Sequence, residues 1–155
     1  MKFLFTFLLL VISHPGKSED LQLHPFSTDY CTFYPEGTPS NPTIWKHCCL
    51  IHDMTLWAGG VATERHEADL ELKRCVAATG QRVQSKLIYF GIRAGNYSPI
   101  KFPNMVWNNG WRERPMFQAL TAQDIDQIES KLFSSYDYIS NDIKTDFILM
   151  LRNRL

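Results

Sequence analysis

The chain of 155 residues has no excess of charge of either sign: 16 Lys and Arg stand against 16 Asp and Glu. That balance excludes a strongly basic nucleic-acid binder. No apolar run approaches the roughly 20 residues that a membrane-spanning helix needs. Glycine and proline are sparse, 8 of each, and there is no internal repeat, low-complexity tract or domain linker, which excludes a collagen-like fibre. Apolar residues are not lacking. At 45% hydrophobic and 21% charged, the composition is that of a globular domain and not of a disordered tail. One domain with a modest core is the expectation at this length.

The first eighteen residues are not expected to belong to it. Lys2, the apolar run Phe3 to Ile12, and then Ser13, His14, Pro15 and Gly16 follow the order of a secretory signal peptide. Gly16 and Ser18 put small residues where a signal peptidase reads, so cleavage is expected after Ser18. An uncleaved anchor is disfavoured by the shortness of the run. A domain of residues 19–155 would then be secreted or periplasmic. Removing Lys2 and Lys17 leaves 14 basic and 16 acidic residues, a net charge of −2. General attraction to anionic membranes is therefore not expected, and lipid contact would need local apolar or basic patches.

Cysteine is scarce, four in all. In an oxidising compartment Cys31, Cys48, Cys49 and Cys75 read as two disulfides. A Cys48–Cys49 bond would be strained within a helix. Cys31 therefore pairs with one of the adjacent cysteines and Cys75 with the other.

The patterning is mostly helical. Residues 19–41 read as an arm and loop. Ser40 or Asn41 could cap a helix running from Pro42 to Trp57, apolar nearly all round and hence buried. Gly59 and Gly60 end it. A second helix is expected from a Thr63 cap to Ala78, antiparallel to the first because the link is short. A third spans Arg82 to Ala94. Asn109-Gly110, between Trp107 and Trp111, signals a turn and a short hairpin. Thr121 with Asp124 resembles a capping box and opens a fourth helix; a fifth starts near Ser140.

His52 and Asp53 sit together in the most apolar helix, where a carboxylate needs a cation or several hydrogen bonds. Adjacent helix positions diverge by about 100°, so one is expected to face the second helix and the other the loop around Cys31. Cys48 lies one turn before His52, and Asp69 precedes Cys75 by six residues. In antiparallel helices these steps, about 6 and 9 Å, run the same way. A Cys48–Cys75 bond would thus bring Asp69 to His52, and Cys31–Cys49 would tie the first loop beside Asp53.

Cys48-Cys49-Leu50-Ile51-His52-Asp53 resembles the Cys-Cys-x-x-His-Asp signature of secreted phospholipase A2. Asp69 followed by Cys75 resembles the aspartate and cysteine of that family's second helix, and Cys31 the cysteine of its calcium loop. The likeness covers residues 29–78, and the short link between the helices is closest to compact bacterial and fungal members. It implies a mainly α fold: an antiparallel helical hairpin of phospholipase A2 type, disulfide-bonded, with additional C-terminal helices. It further implies Ca²⁺-dependent hydrolysis of the sn-2 ester of phospholipids at a membrane surface. His52 would be the general base, oriented by Asp69. Asp53 would bind Ca²⁺, with carbonyls of Tyr30, Thr32 and Gly37 as further candidates and Glu36 or Asp29 as added carboxylates. The family usually has glycine where this chain has Thr32 and Tyr34. Thr55 and Leu56 replace its Cys-Tyr, and a tyrosine steadying Asp69 would have to be Tyr89 or Tyr97.

Three other readings stand beside this one. A catalytically inactive secreted binding module could keep the same scaffold. A generic secreted structural protein would be marked by free thiols at Cys48 or Cys75. Zinc on Cys48, Cys49, His52 and His66 has the wrong spacing for a usual finger. Trp107 and Trp111 would be core or, if exposed, would seat in a lipid interface with Arg112 and Arg114 on head groups.

Overall fold

A computed structural model describes residues 23–96 and 109–155; the expected signal peptide, Tyr97 and Trp107 lie outside them. Among the described residues the chain is mainly helical, with α1 (Lys46–Ala58), α2 (Ala62–Ala78), α3 (Arg82–Asn96), α4 (Ala122–Ser135) and α5 (Asn141–Arg152). Extended pairing among them is confined to isolated bridges, Leu23 with Trp111 and Thr38 with Asn41. No helix among the described residues is long and apolar enough to cross a membrane.

The all-round apolarity of α1 has a direct cause: the helix serves two cores. On one side Leu50, Met54 and Trp57 meet Ile125, Ile128 and Leu132 of α4 and Phe147, Ile148 and Leu151 of α5. On the other, Trp45, Cys48 and Cys49 pack with Cys31, Leu72 and Val76 of α2 and Ile88 of α3. A helix buried on both sides has no wide polar face to display.

The start of α1 departs from the sequence expectation, while Gly59 caps its end as expected. The helix starts at Lys46, not Pro42, and neither Ser40 nor Asn41 caps it. Residues 41–48 begin as tight turns, with Ile44 N–H donating to Asn41 O (3.4 Å) and Lys46 N–H to Thr43 O (3.1 Å). Such three-residue turns commonly precede a helix. The Trp45 N–H is satisfied by Glu36 O at 3.1 Å.

At the other end the last four carbonyls, which have no partner inside the helix, are all satisfied. Gly59 N–H donates to Thr55 O (3.3 Å) and Gly110 N–H to Trp57 O (2.8 Å). Arg65 Nη1 donates to Leu56 O (3.1 Å) and the Trp111 indole to Ala58 O (2.8 Å). The hairpin expected between Trp107 and Trp111 falls partly outside the described residues, and residues 109–111 have another role. They seal α1, and they pair with the N-terminal arm, where His24 N–H donates to Gly110 O at 2.6 Å. Glycine is needed at 110 because a Cβ there would lie 2.5 Å from the Trp57 ring and 2.7 Å from its carbonyl oxygen.

Gly59 and Gly60, with φ of 90° and 118°, turn the chain through a region open to glycine. The α2 cap is then Val61, not Thr63: its N–H donates to Glu64 Oε2 at 2.8 Å. Contacts of Cys48 with Cys75 and of His52 with Asp69 advance along α1 while receding along α2, so the two helices are antiparallel. Thr121 and Asp124 cap α4 reciprocally, Thr121 N–H to Asp124 Oδ2 at 2.6 Å and Asp124 N–H to Thr121 Oγ1 at 3.2 Å. Ser140 caps α5 by accepting from Ile143 N–H at 3.4 Å.

Candidate functional site

His52 and Asp53 leave α1 towards different neighbours. Both are buried, at 7% and 2% exposure, and so is Asp69 of α2, at 1%. Two disulfides frame them: Cys48–Cys75 joins α1 to α2, and Cys31–Cys49 joins α1 to the preceding loop, with Cα separations of 5.7 and 5.2 Å. All four cysteines are used, so the zinc reading, which needs thiolates, and the free-thiol reading both fall. His47 is exposed on α1, its Nε2 3.4 Å from Cys48 Sγ and 3.5 Å from Cys75 Sγ.

His52 faces α2. Its Nε2 is 2.9 Å from Asp69 Oδ1, and Asp69 Oδ2 accepts from Arg93 Nη1 of α3, also at 2.9 Å. Burial pushes the Asp69 carboxyl up, but the hydrogen bonds from His52 and Arg93 outweigh it and hold the group below its usual range. Asp69 is therefore charged and can only accept. The proton of a neutral His52 then sits on Nε2, leaving the Nδ1 lone pair bare. Nδ1 lies 3.8 Å from Asp53 Oδ1. Burial lowers the affinity of His52 for a second proton, yet the two carboxylates more than offset this and raise it.

Asp53 faces the loop. Its Oδ2 accepts from Thr28 Oγ1 at 2.6 Å, and that hydroxyl accepts from Tyr30 N–H at 2.9 Å. Burial raises the Asp53 carboxyl above its ordinary value, and the nearby Asp29 adds to the rise. Among the described residues its one ion-pair contact is His52. A buried carboxylate so placed gains from a cation.

The loop turns where no glycine stands. Tyr30 and Phe33 have φ of 60° and 57°, the left-handed region that most side chains avoid, and Tyr34 N–H closes the turn on Cys31 O at 2.8 Å. The left-handed positions are thus 30 and 33, which is why Thr32 and Tyr34 are tolerated. Thr32 Oγ1 donates to Asp29 Oδ1 at 2.7 Å. Gly37 lies in the turn that leads into α1; a Cβ on it would collide with the Asn41 carbonyl. Glu36 pairs with Lys46 at 3.3 Å.

No protein-family model, curated protein or solved structure matches the chain. The site therefore rests on its own geometry.

That geometry brings together His52, Asp53 and Asp69, and links Tyr30 to Asp53 through Thr28. It includes two residues that the sequence reading passed over. Arg93 steadies Asp69; Tyr89 lies under Lys73 Nζ, 4.8 Å from its ring centroid, and Tyr97 lies outside the described residues. An inward carboxylate asks for a cation, but His52 already offers Asp69 a partner and masks the need for a second. Thr28 carried no signal. Trp111 is core, its indole spent on Ala58, and Arg114 is buried against Asp124 at 2.9 Å, so neither is free to meet lipid.

Proposed function

We propose that the chain is a secreted, phospholipase A2-like hydrolase that uses Ca²⁺ to cleave the sn-2 ester of glycerophospholipids, giving a fatty acid and a lysophospholipid. The observation that supports it most is the His52 imidazole, hydrogen-bonded through Nε2 to a charged Asp69, with its bare Nδ1 turned towards Asp53. A water at Nδ1 would lose its proton to His52 as it attacks the ester carbonyl. Asp69 would stabilise the imidazolium that forms, and Arg93 would keep Asp69 in place. The proton would then pass from His52 to the departing lysophospholipid oxygen.

A calcium ion fits the residues present: a buried carboxylate whose proton affinity is raised, a second carboxylate on Asp29, and hard oxygen donors in the loop. Asp53 would hold it, with the carbonyls of Tyr30, Thr32 and Gly37 as the candidates from the preceding loop. When bound, the ion supplies a Lewis acid for the ester carbonyl.

One observation favours a second reading, a silent binding module on the same scaffold. The Thr28 hydroxyl already occupies Asp53 Oδ2. Fatty-acid release from mixed phospholipid vesicles by the oxidised protein separates the two. An enzyme loses all release on His52→Gln or with EDTA, while that variant keeps the parent Tm. A binding module shows no release and no calorimetric Ca²⁺ binding.

A further inference from the structure

Helix α3 is apolar on two opposite sides, and among the described residues only one of them is covered. Ile88 and Ser85 are buried against the rest of the molecule. On the far side Val83, Leu87 and Phe90 are 66%, 55% and 66% exposed. Their spacing, four and then three residues, sets them within about 60° of one another around the axis. A contiguous outward stripe of large apolar side chains is not the scattered exposure that any surface shows.

The flank of the stripe is basic. Arg82 and Lys86 are exposed, and by helical position both lie along the same edge. The helix Arg82–Asn96 contains no Asp or Glu. One turn further on, the same helix sends Arg93 to Asp69, so the helix that carries the stripe is tied to the His52 cluster.

We infer that the outer face of α3 is a docking surface for an anionic lipid bilayer, with Val83, Leu87 and Phe90 entering the headgroup boundary and Arg82 and Lys86 meeting lipid phosphates. An apolar face edged by cations is what an interfacial helix presents to such a membrane. The charge is local, because the whole chain is balanced. The inference rests on the phospholipase reading for its purpose: through Arg93 it ties the element that meets the lipid to the cluster that would cleave the ester.

The test uses the full oxidised chain carrying His52→Gln, so that lipid is not consumed, in cosedimentation with phosphatidylglycerol or phosphatidylcholine vesicles. Binding is expected on the anionic vesicles and weaker binding on the zwitterionic ones. Leu87→Glu with Phe90→Glu should cut anionic binding by about tenfold or more. Arg82→Glu with Lys86→Glu should abolish the preference for anionic lipid and its sensitivity to salt. These positions are exposed, and an unchanged far-UV spectrum and Tm would certify the fold of each variant. Undiminished binding by the Leu87/Phe90 variant overturns the proposal. So does a dimer in lipid-free solution that this variant dissolves, because the stripe would then belong to a second copy. α3-dependent binding without fatty-acid release by the parent chain would uphold the surface while removing the enzymatic reading.

Discussion

At the scale of single residues, Asp69 is fixed from two sides, and this makes its replacement informative. In Asp69→Asn, Arg93 would hold the amide oxygen and turn the amide N–H₂ towards His52 Nε2. The imidazole would then carry its proton on Nδ1, where the base needs a lone pair. If the enzymatic reading holds, fatty-acid release should fall by roughly 10³–10⁴ with the fold intact, as expected of a wrong tautomer. Removing the anchor should cost less. Arg93→Ala should lower the rate by about 10–100-fold, the usual loss when a supporting partner goes, and Arg93→Lys should recover part of it. Steady-state rates of the three variants, with Tm values alongside, check both statements. The pairing of His52 with Asp69 was legible because two cysteines gave a ruler along two helices. Arg93 was not, because it arrives from a helix whose phase relative to Asp69 no spacing records.

Among elements, α4 shows how one carboxylate can serve several donors. Asp124 accepts the Thr121 N–H and hydroxyl and faces Arg114 at 2.9 Å. Burial pushes its carboxyl up, but these partners overcome that and leave it below its ordinary value. A group depressed in this way stabilises the fold above its unfolded value, near about 4, and the contribution fades as pH falls towards the folded value. Thermal unfolding should therefore lose stability on acidification through that window, and Asp124→Asn should flatten that part of the profile. At neutral pH, Asp124→Ala should cost about 3 kcal/mol, because it removes a cap and strands a buried guanidinium. The cap of α4 was plain in the sequence, where Thr121 and Asp124 announce themselves locally, and the start of α5 near Ser140 was legible too. The first turn of α1 was misread for the opposite reason. Pro42 looks like a helix start, but the chain spends 41–45 in turns whose partners lie back in the loop at Glu36 and Thr38.

For the whole molecule, α1 is the common wall of two cores, and it is closed by residues more than fifty positions later in the chain. Gly110→Ala should destabilise the protein by about 2 kcal/mol or more, since the new methyl must displace Trp57; urea unfolding measures this. The two disulfides close loops of 18 and 27 residues, each worth about 3 kcal/mol in chain entropy. Their losses should differ in kind. Cys75→Ala should loosen the His52–Asp69 pair, whereas Cys31→Ala should spare that pair and free the Asp53 loop. Imidazole chemical shifts of His52 in the two variants distinguish these outcomes.

Cys48 and Cys49 are neighbours in the chain but serve opposite walls of the site. Exchanging their partners would give an isomer of identical mass, with the same number of bonds. Only the helical twist of α1 tells the two sulfurs apart. An oxidant that acts on the chain before α1 has formed therefore meets two nearly equivalent thiols. Refolding from the reduced state should yield a mixture that mass spectrometry reads as pure, in which only one fraction can bring His52 to Asp69. Thiol reshuffling would be needed to recover the rest.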